Sequence, residues 1–169
     1  MKQGTVFFFT GLAGAGKTTI GGLFYERFKA THPDAILIDG DRNRAAKGFD
    51  RPKDYSTESR RAEAFRIFQT CKEYADRGLD VVCCLISMYH DVRAWNRANI
   101  ENYVEIYVRV EWETLLRRNQ KGLYSPGQKN VVGVDLLCEE PEQPDFILQN
   151  DGDKTPLELV ESLEQQLFH

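Results

Sequence analysis

The chain has 169 residues, enough to bury one good hydrophobic core, and its 41% hydrophobic and 28% charged residues give the balance of an ordinary soluble globular protein. A formal net charge of -4 argues against a general nucleic-acid or membrane-surface binder. No apolar run approaches the roughly 20 residues that a membrane helix needs, and "VFFFTGL" is too short and too soon broken by glycine to act as a signal peptide. The four cysteines, Cys71, Cys83, Cys84 and Cys138, form no C-x-x-C pair and have no histidine at metal-ligand spacing. Reduced thiols without an export signal predict a cytoplasmic protein.

Apolar runs alternate with helical patterns along the chain. "TVFFFT" predicts a buried strand over Thr5 to Thr10, followed by a helix from Lys17 to about Ala30 that carries two weakening glycines, Gly21 and Gly22. "AILIDGD" predicts a second strand ending near Asp39. In "STESRRAEAFRIFQTCKEYADRG", Ala64, Ile67, Phe68, Cys71, Tyr74 and Ala75 fall on one helical stripe, with Glu58 at the positive end and Gly78 as the stop. "DVVCCLIS" reads as a third strand covered on both faces, on which Cys83 and Cys84 face opposite ways as buried thiols. A short helix over Val92 to Asn99, a strand in "YVEIYVRV", a helix near Glu113 to Arg118 and a strand in "DFILQN" follow. The closing "TPLELVESLEQQLF" carries Thr155 as N-cap, Pro156 at the first helical position and Glu158 completing a capping box. Trp95 and Trp112 are read as packing residues.

Strands separated by helices predict a three-layer α/β/α fold around a five-stranded, mainly parallel sheet in a single domain spanning 1–169. Residues 119–144 break the rhythm with Gly, Pro and scattered charge, and a loop of that length predicts a functional lid.

The chemistry starts at "GLAGAGKTT", Gly11 to Thr19, which meets the spacing G-x-x-x-x-G-K-T. Such a loop lets successive backbone N–H groups of Gly11, Leu12, Ala13, Gly14, Ala15 and Gly16 converge on phosphate oxygens. Lys17 supplies positive charge to the β- and γ-phosphates of ATP, the Thr18 hydroxyl is a ligand for Mg²⁺, and Thr19 continues into a helix whose N-terminus adds its own positive end. A GTPase would carry Asn-Lys-x-Asp late in the chain, and "NQKG" and "QKNV" do not match it. A motor ATPase would carry an Asp-Glu pair after a strand; here the second strand ends in Asp-Gly-Asp. One carboxylate, Asp39, on the Mg²⁺ side and another, Asp41, at the acceptor hydroxyl suit a small-molecule kinase. The arginines that follow, Arg42, Arg44, Arg51, Arg60, Arg61 and Arg66, predict an anionic acceptor, with a solvated helix face as the plainer reading for Arg61 and Arg66.

Taken in order, these residues resemble the adenylyl-sulfate kinases, P-loop enzymes that move the ATP γ-phosphate to the 3′-hydroxyl of adenylyl sulfate. "GLAGAGKTT" matches that family's phosphate loop, and "DGDRNR" resembles its Asp-Gly-Asp-Asn-x-Arg. "YSTESR" resembles its Phe-Ser-x-x-Asp-Arg, "ISMYH" stands where it has Ile-Ser-Pro-x-Arg, "KGLY" is kept, and "VVGVD" stands at its Phe-Thr-Gly-Ile-Asp. The resemblance implies Asp41 as catalytic base, and acceptor contacts from Arg44, Arg60, Glu63, Ile86, Ser87, Lys121, Val131 and Val132. It also implies Thr18 and Asp39 at Mg²⁺, a nucleotide acceptor as the small-molecule partner, and a homodimer. Ser87 is expected to touch the acceptor rather than to carry a covalent phosphate, because direct in-line transfer needs no enzyme nucleophile.

The departures gather on the acceptor side. Glu63 replaces an asparagine, Phe65 an arginine, Met88 and His90 a proline and an arginine, and Val131 the phenylalanine that stacks on the acceptor's adenine. Stacking of that kind contributes about 1–3 kcal/mol per base. Either Tyr55 or Phe49 remakes the adenine pocket for adenylyl sulfate, or the acceptor is another nucleotide conjugate, such as a cytidine diphosphate derivative with a small anionic or amidated group of the kind used in capsule decoration. In the second case Glu63 would meet an amino group. His90 is read either as an anion contact or as a helix-end histidine. A non-catalytic nucleotide-binding switch is the rival of another class, opposed by the intact Lys17, Thr18 and Asp41.

Overall fold

Three successive phenylalanines can all be buried only in a strand covered on both sides, and Phe7, Phe8 and Phe9 are each exposed by 3% or less. The computed structural model describes residues 2–40, 56–119, 122, 124–127, 131–134 and 138–169. Within them the chain runs β1 (Thr5–Thr10), α1 (Lys17–Lys29), β2 (Ile36–Asp39), α2 (Thr57–Asp76), β3 (Val81–Cys84), α3 (His90–Asn99), β4 (Asn102–Arg109), α4 (Trp112–Arg118), β5 (Phe146–Gln149) and α5 (Pro156–Phe168). The strands form one parallel sheet in the order β2-β3-β1-β4-β5. This is the expected α/β P-loop kinase architecture.

The two faces of β1 organise two cores, because successive side chains leave a strand in opposite directions. Phe7 and Phe9 pack with Phe24 and Phe28 of α1 and with Leu159 and Leu163 of α5. Val6 and Phe8 pack with Ala64 and Phe68 of α2 and Val92 of α3. Cys84 falls in the first core and Cys83 in the second, as the alternation requires. On the stripe of α2, Ala64, Phe68, Cys71 and Ala75 are buried, while Ile67 and Tyr74 are half-buried at its edge. α5 has its capping box: Glu158 N–H donates to Thr155 Oγ1 at 3.2 Å and Thr155 N–H to Glu158 Oε2 at 2.7 Å.

One expectation changes. The third strand ends at Cys84 instead of running on through Ser87, because residue 87 leaves extended geometry with a φ of +36°. Trp112 packs at the rim and not inside the core: it is 41% exposed and sets its ring edge-on to Tyr124 at 5.2 Å. Trp95 packs edge-on to Phe65 beside the second core.

The two helical glycines separate in role. A Cβ on Gly21 would lie 2.3 Å from Cys84 Sγ, so α1 approaches β3 as closely as it does because no side chain intervenes. Gly22 has nothing within 4 Å of that position. Gly21→Ala is expected to lose about 1–3 kcal/mol through overpacking. Gly22→Ala is expected to gain about 0.5–1 kcal/mol from helix propensity. Urea denaturation of the two variants checks the pair, which must move in opposite directions.

Candidate active site

Parallel strands carry their ligand sites at their carboxyl ends, where crossovers to either side leave a crevice. β1, β2 and β3 all lead to one such crevice, open to solvent on one side. β1 delivers the phosphate loop, whose last glycine is forced. Gly16 has a φ of +101°, and a Cβ there would lie 2.5 Å from Asn150 Nδ2, so another residue would meet both backbone strain and a side chain. Immediately after it, α1 opens with Lys17 and Thr18, both lining the crevice, and Thr19, which is exposed and stays outside it. Lys17 Nζ donates to Leu12 O at 2.9 Å, folding the side chain back over its own loop.

Opposite the loop, β2 ends in Asp39 and Gly40, and α2 contributes Arg60, Glu63, Ala64 and Ile67. The stretch leaving β3 adds Ile86, Ser87 and Tyr89, and Val132 closes one side. Eight of the residues expected at a site from sequence therefore share one crevice: Lys17, Thr18, Asp39, Arg60, Glu63, Ile86, Ser87 and Val132. Asp41, Arg44 and Lys121 lie outside the described residues, as do the aromatic candidates Phe49 and Tyr55. Val131, expected to face the acceptor, is instead only 5% exposed and is not part of the crevice wall; its neighbour Val132 takes that place. The turn that carries them sits on the phosphate loop, with Leu12 Cδ2 3.2 Å from where a Gly133 Cβ would be.

Ser87 stands out on three counts. Its φ of +36° is strained for a residue with a Cβ, it is 6% exposed, and its Oγ has no hydrogen-bond partner among the described residues. Its position is held from β1: the wholly buried Thr10 donates its hydroxyl to Ile86 O, and Leu85 N–H donates to Phe9 O at 3.1 Å.

His90 does not line the crevice. As the first residue of α3 it turns Nε2 toward Glu139 and Glu142, at 3.6 and 3.5 Å, and accepts at Nδ1 from Arg93 at 2.7 Å. Of its two readings from sequence, the structure favours the helix-end histidine. The same strip is pinned by Arg93 Nη2 on Glu139 O and by Glu139 N–H on Met88 O at 3.0 Å.

Asp39 and Thr18 together present a carboxylate and a hydroxyl, hard oxygen donors that fit Mg²⁺. Among the described residues no group of three or more His, Cys, Asp or Glu converges. No described helix is long and apolar enough to cross a membrane.

Three residues contact carbonyls of the phosphate loop: Tyr124, expected only as part of the kept "KGLY", and Arg118 and Asn150, for which no role was expected from sequence. Tyr124 Oη donates to Ala13 O at 2.6 Å. Asn150 Nδ2 donates to Ala15 O at 2.8 Å. Arg118 donates from Nη2 to Asn150 O at 2.6 Å and from Nη1 to Gly14 O at 3.4 Å. The signal present in the sequence was a polar residue, Asn150, just past the end of a strand that leads to the ligand edge.

The sequence profile of the adenylylsulphate kinases matches residues 3–149. The cytidine diphosphoramidate kinase of Campylobacter jejuni is 35% identical over 166 residues, 96% of this chain and 95% of that protein. The adenylyl-sulfate kinase of Yersinia pestis is 32% identical over 167 residues, 95% of this chain and 76% of that protein. Among solved structures, the Mycobacterium tuberculosis APS kinase in complex with AMPPNP and APS superposes with a TM-score of 0.86 over the whole of both chains at 24% identity, a likeness of fold.

Thr10→Val removes the hydroxyl that holds Ile86 O and leaves a buried carbonyl unpaired. Unfolding free energy is expected to drop by about 1–3 kcal/mol in urea denaturation, and Thr10→Ser to restore most of it.

Proposed function

The chain belongs to the adenylylsulphate kinase family, and from that premise we propose that it is an ATP- and Mg²⁺-dependent kinase whose acceptor is a cytidine diphosphate conjugate with an amidated end, cytidine diphosphoramidate being the first choice. It is a phosphotransferase by family. The acceptor is inferred from Glu63. This carboxylate lines the same crevice as Arg60 and Ser87, where the family resemblance calls for a neutral asparagine. A carboxylate repels a terminal sulfate and accepts a hydrogen bond from an amide or amino group. Val131, which stands where the family resemblance calls for the stacking phenylalanine, offers no aromatic face to an adenine. The likeness to the Campylobacter jejuni cytidine diphosphoramidate kinase over nearly the full length of both chains supports the same acceptor.

The residues then take these roles. The backbone of Gly11 to Gly16 binds the donor phosphates, and Lys17 neutralises charge that builds on the transferred group. Thr18 and Asp39 would hold Mg²⁺, which when bound would supply positive charge against the donor phosphates. Arg60 binds the acceptor's diphosphate, with Arg44 and Lys121 as further anion contacts. The Ser87 hydroxyl, buried with no partner among the described residues, donates to the acceptor and orients it. Asp41 takes the proton as the acceptor hydroxyl attacks in line. The segment over 119–144 excludes water, so that ADP forms only with transfer.

Adenylyl sulfate is the second reading, favoured by the family profile and by the retained Arg60 and Ser87.

ADP release measured by a coupled assay over a panel of nucleotide conjugates decides between them. Cytidine diphosphoramidate is expected to give the highest kcat/KM, and adenylyl sulfate a much lower one. Glu63→Asn is expected to lower kcat/KM for the amidate by about 10- to 100-fold, the loss of one charge-assisted hydrogen bond, and to raise it for adenylyl sulfate. A panel in which adenylyl sulfate wins and Glu63→Asn changes nothing removes the amidate reading. Asp41→Asn is expected to lower kcat by about 10²- to 10⁴-fold while the KM for ATP stays near that of the parent.

A further inference from the structure

A phosphate loop binds anions only while its peptide planes are turned the right way, and this chain controls that turn from outside the loop. In a trans peptide the carbonyl of one residue and the N–H of the next point in opposite directions. Whatever captures a loop carbonyl on the outer side therefore fixes the following N–H on the inner side. Tyr124 captures the carbonyl of Ala13, which fixes the N–H of Gly14. Asn150 captures the carbonyl of Ala15, which fixes the N–H of Gly16. The intervening N–H, that of Ala15, is already engaged with Leu12 O at 3.1 Å, so the two captured planes are the ones whose N–H groups have no backbone acceptor among the described residues.

Resting on the reading of this loop as the donor-phosphate site, we propose that Tyr124 and Asn150 are positioning residues that hold the phosphate cradle in its anion-binding form. Both are built for it. Asn150 is 8% exposed, and its own carbonyl is gripped by Arg118 at 2.6 Å, which leaves its amide fixed against the loop. Gly16 admits the amide because it has no Cβ. Tyr124 is fixed at its ring by the edge-on contact with Trp112 and at its backbone by an N–H donated to Asn119 Oδ1 at 2.9 Å. Burial pushes its phenol up to about 12, so the hydroxyl keeps the proton it donates throughout the physiological range. A cradle held open beforehand spends no binding energy on reorganisation when the triphosphate arrives.

The test uses the full chain and two variants. Tyr124→Phe deletes one donor and keeps the ring against Trp112. Asn150→Asp sets a carboxylate oxygen against Ala15 O. Dissociation constants are measured by titration for ATP with Mg²⁺ and for inorganic tripolyphosphate, which has phosphates but no base, and the KM for the acceptor is measured alongside. Tyr124→Phe is expected to weaken ATP and tripolyphosphate alike by about fivefold, the worth of one neutral hydrogen bond, with the acceptor KM moving by less than about twofold. Asn150→Asp is expected to weaken both by tenfold or more on the same scale, roughly 1.4 kcal/mol. If Asn150→Asp does not fold, Tyr124→Phe decides alone. The proposal is overturned if Tyr124→Phe binds both ligands as the parent does, or if ATP weakens and tripolyphosphate does not, which would make Tyr124 a base contact. A parent protein that binds neither ligand overturns the kinase reading together with this one, whereas parental binding kept by both variants overturns this one alone.

Discussion

The crevice depends on β1 and β3 lying side by side in parallel and ending at the same level. Their register pairs Val6 with Val81 and Phe9 with Cys84, so the chain leaves the sheet from both strands at one edge. Past that edge the pairing continues by two more bonds, Leu85 N–H to Phe9 O and the Thr10 hydroxyl to Ile86 O. The first strand goes on to Lys17, the second to Ser87, and the distance between a phosphate cradle and an acceptor contact is thereby set by backbone geometry. Slipping the register by one residue would turn Phe7 and Phe9 into the core meant for Val6 and Phe8. The aromatic packing on both faces of β1 therefore protects the alignment of the site as well as the stability of the sheet.

What the sequence disclosed, and what it hid, follows from the range of the interactions. β1, the stripe of α2 and the capping box of α5 are local patterns, decided by neighbours within four positions, and each is present with boundaries within about two residues of those expected. The end of β3 was misjudged because an apolar run does not show where a strained residue stops the ladder; Ser87 does. Gly21 and Gly22 are indistinguishable in sequence, and only the Sγ of Cys84, 63 positions away in the chain by numbering, separates them. Trp112 packs, as expected, but only through an edge-on contact with the half-buried Tyr124 at the rim of the core, and is itself 41% exposed.

The site divides the same way. Lys17, Thr18 and Asp39 were legible because a phosphate loop and an acidic strand end are short motifs with known mechanics. Arg60 was legible as one of a cluster of arginines, and Glu63, Ile86, Ser87 and Val132 only through a family resemblance; the crevice brings them together with the first three. Tyr124, Arg118 and Asn150 were not legible as partners of the loop. Their hydrogen bonds span 111, 104 and 135 residues, and nothing in a sequence ties a lone tyrosine or asparagine to a carbonyl that far away.

The charge of the acceptor wall follows from where the altered residues went. His90 occupies the place of a family arginine, but its imidazole is held between Glu139, Glu142 and Arg93, so it restores no positive charge to the crevice. Met88 is buried against Cys138 at 3.5 Å and is equally removed. Among the described residues lining the crevice, the cations are Lys17 and Arg60, and Lys17 belongs to the donor side. Glu63 stands on the same wall as Arg60 and subtracts from its field. Among the described residues, that wall therefore sets one cation, Arg60, beside one anion, Glu63. The altered positions thus lower the positive charge of the described acceptor wall, and Glu63 is the residue that does so most directly.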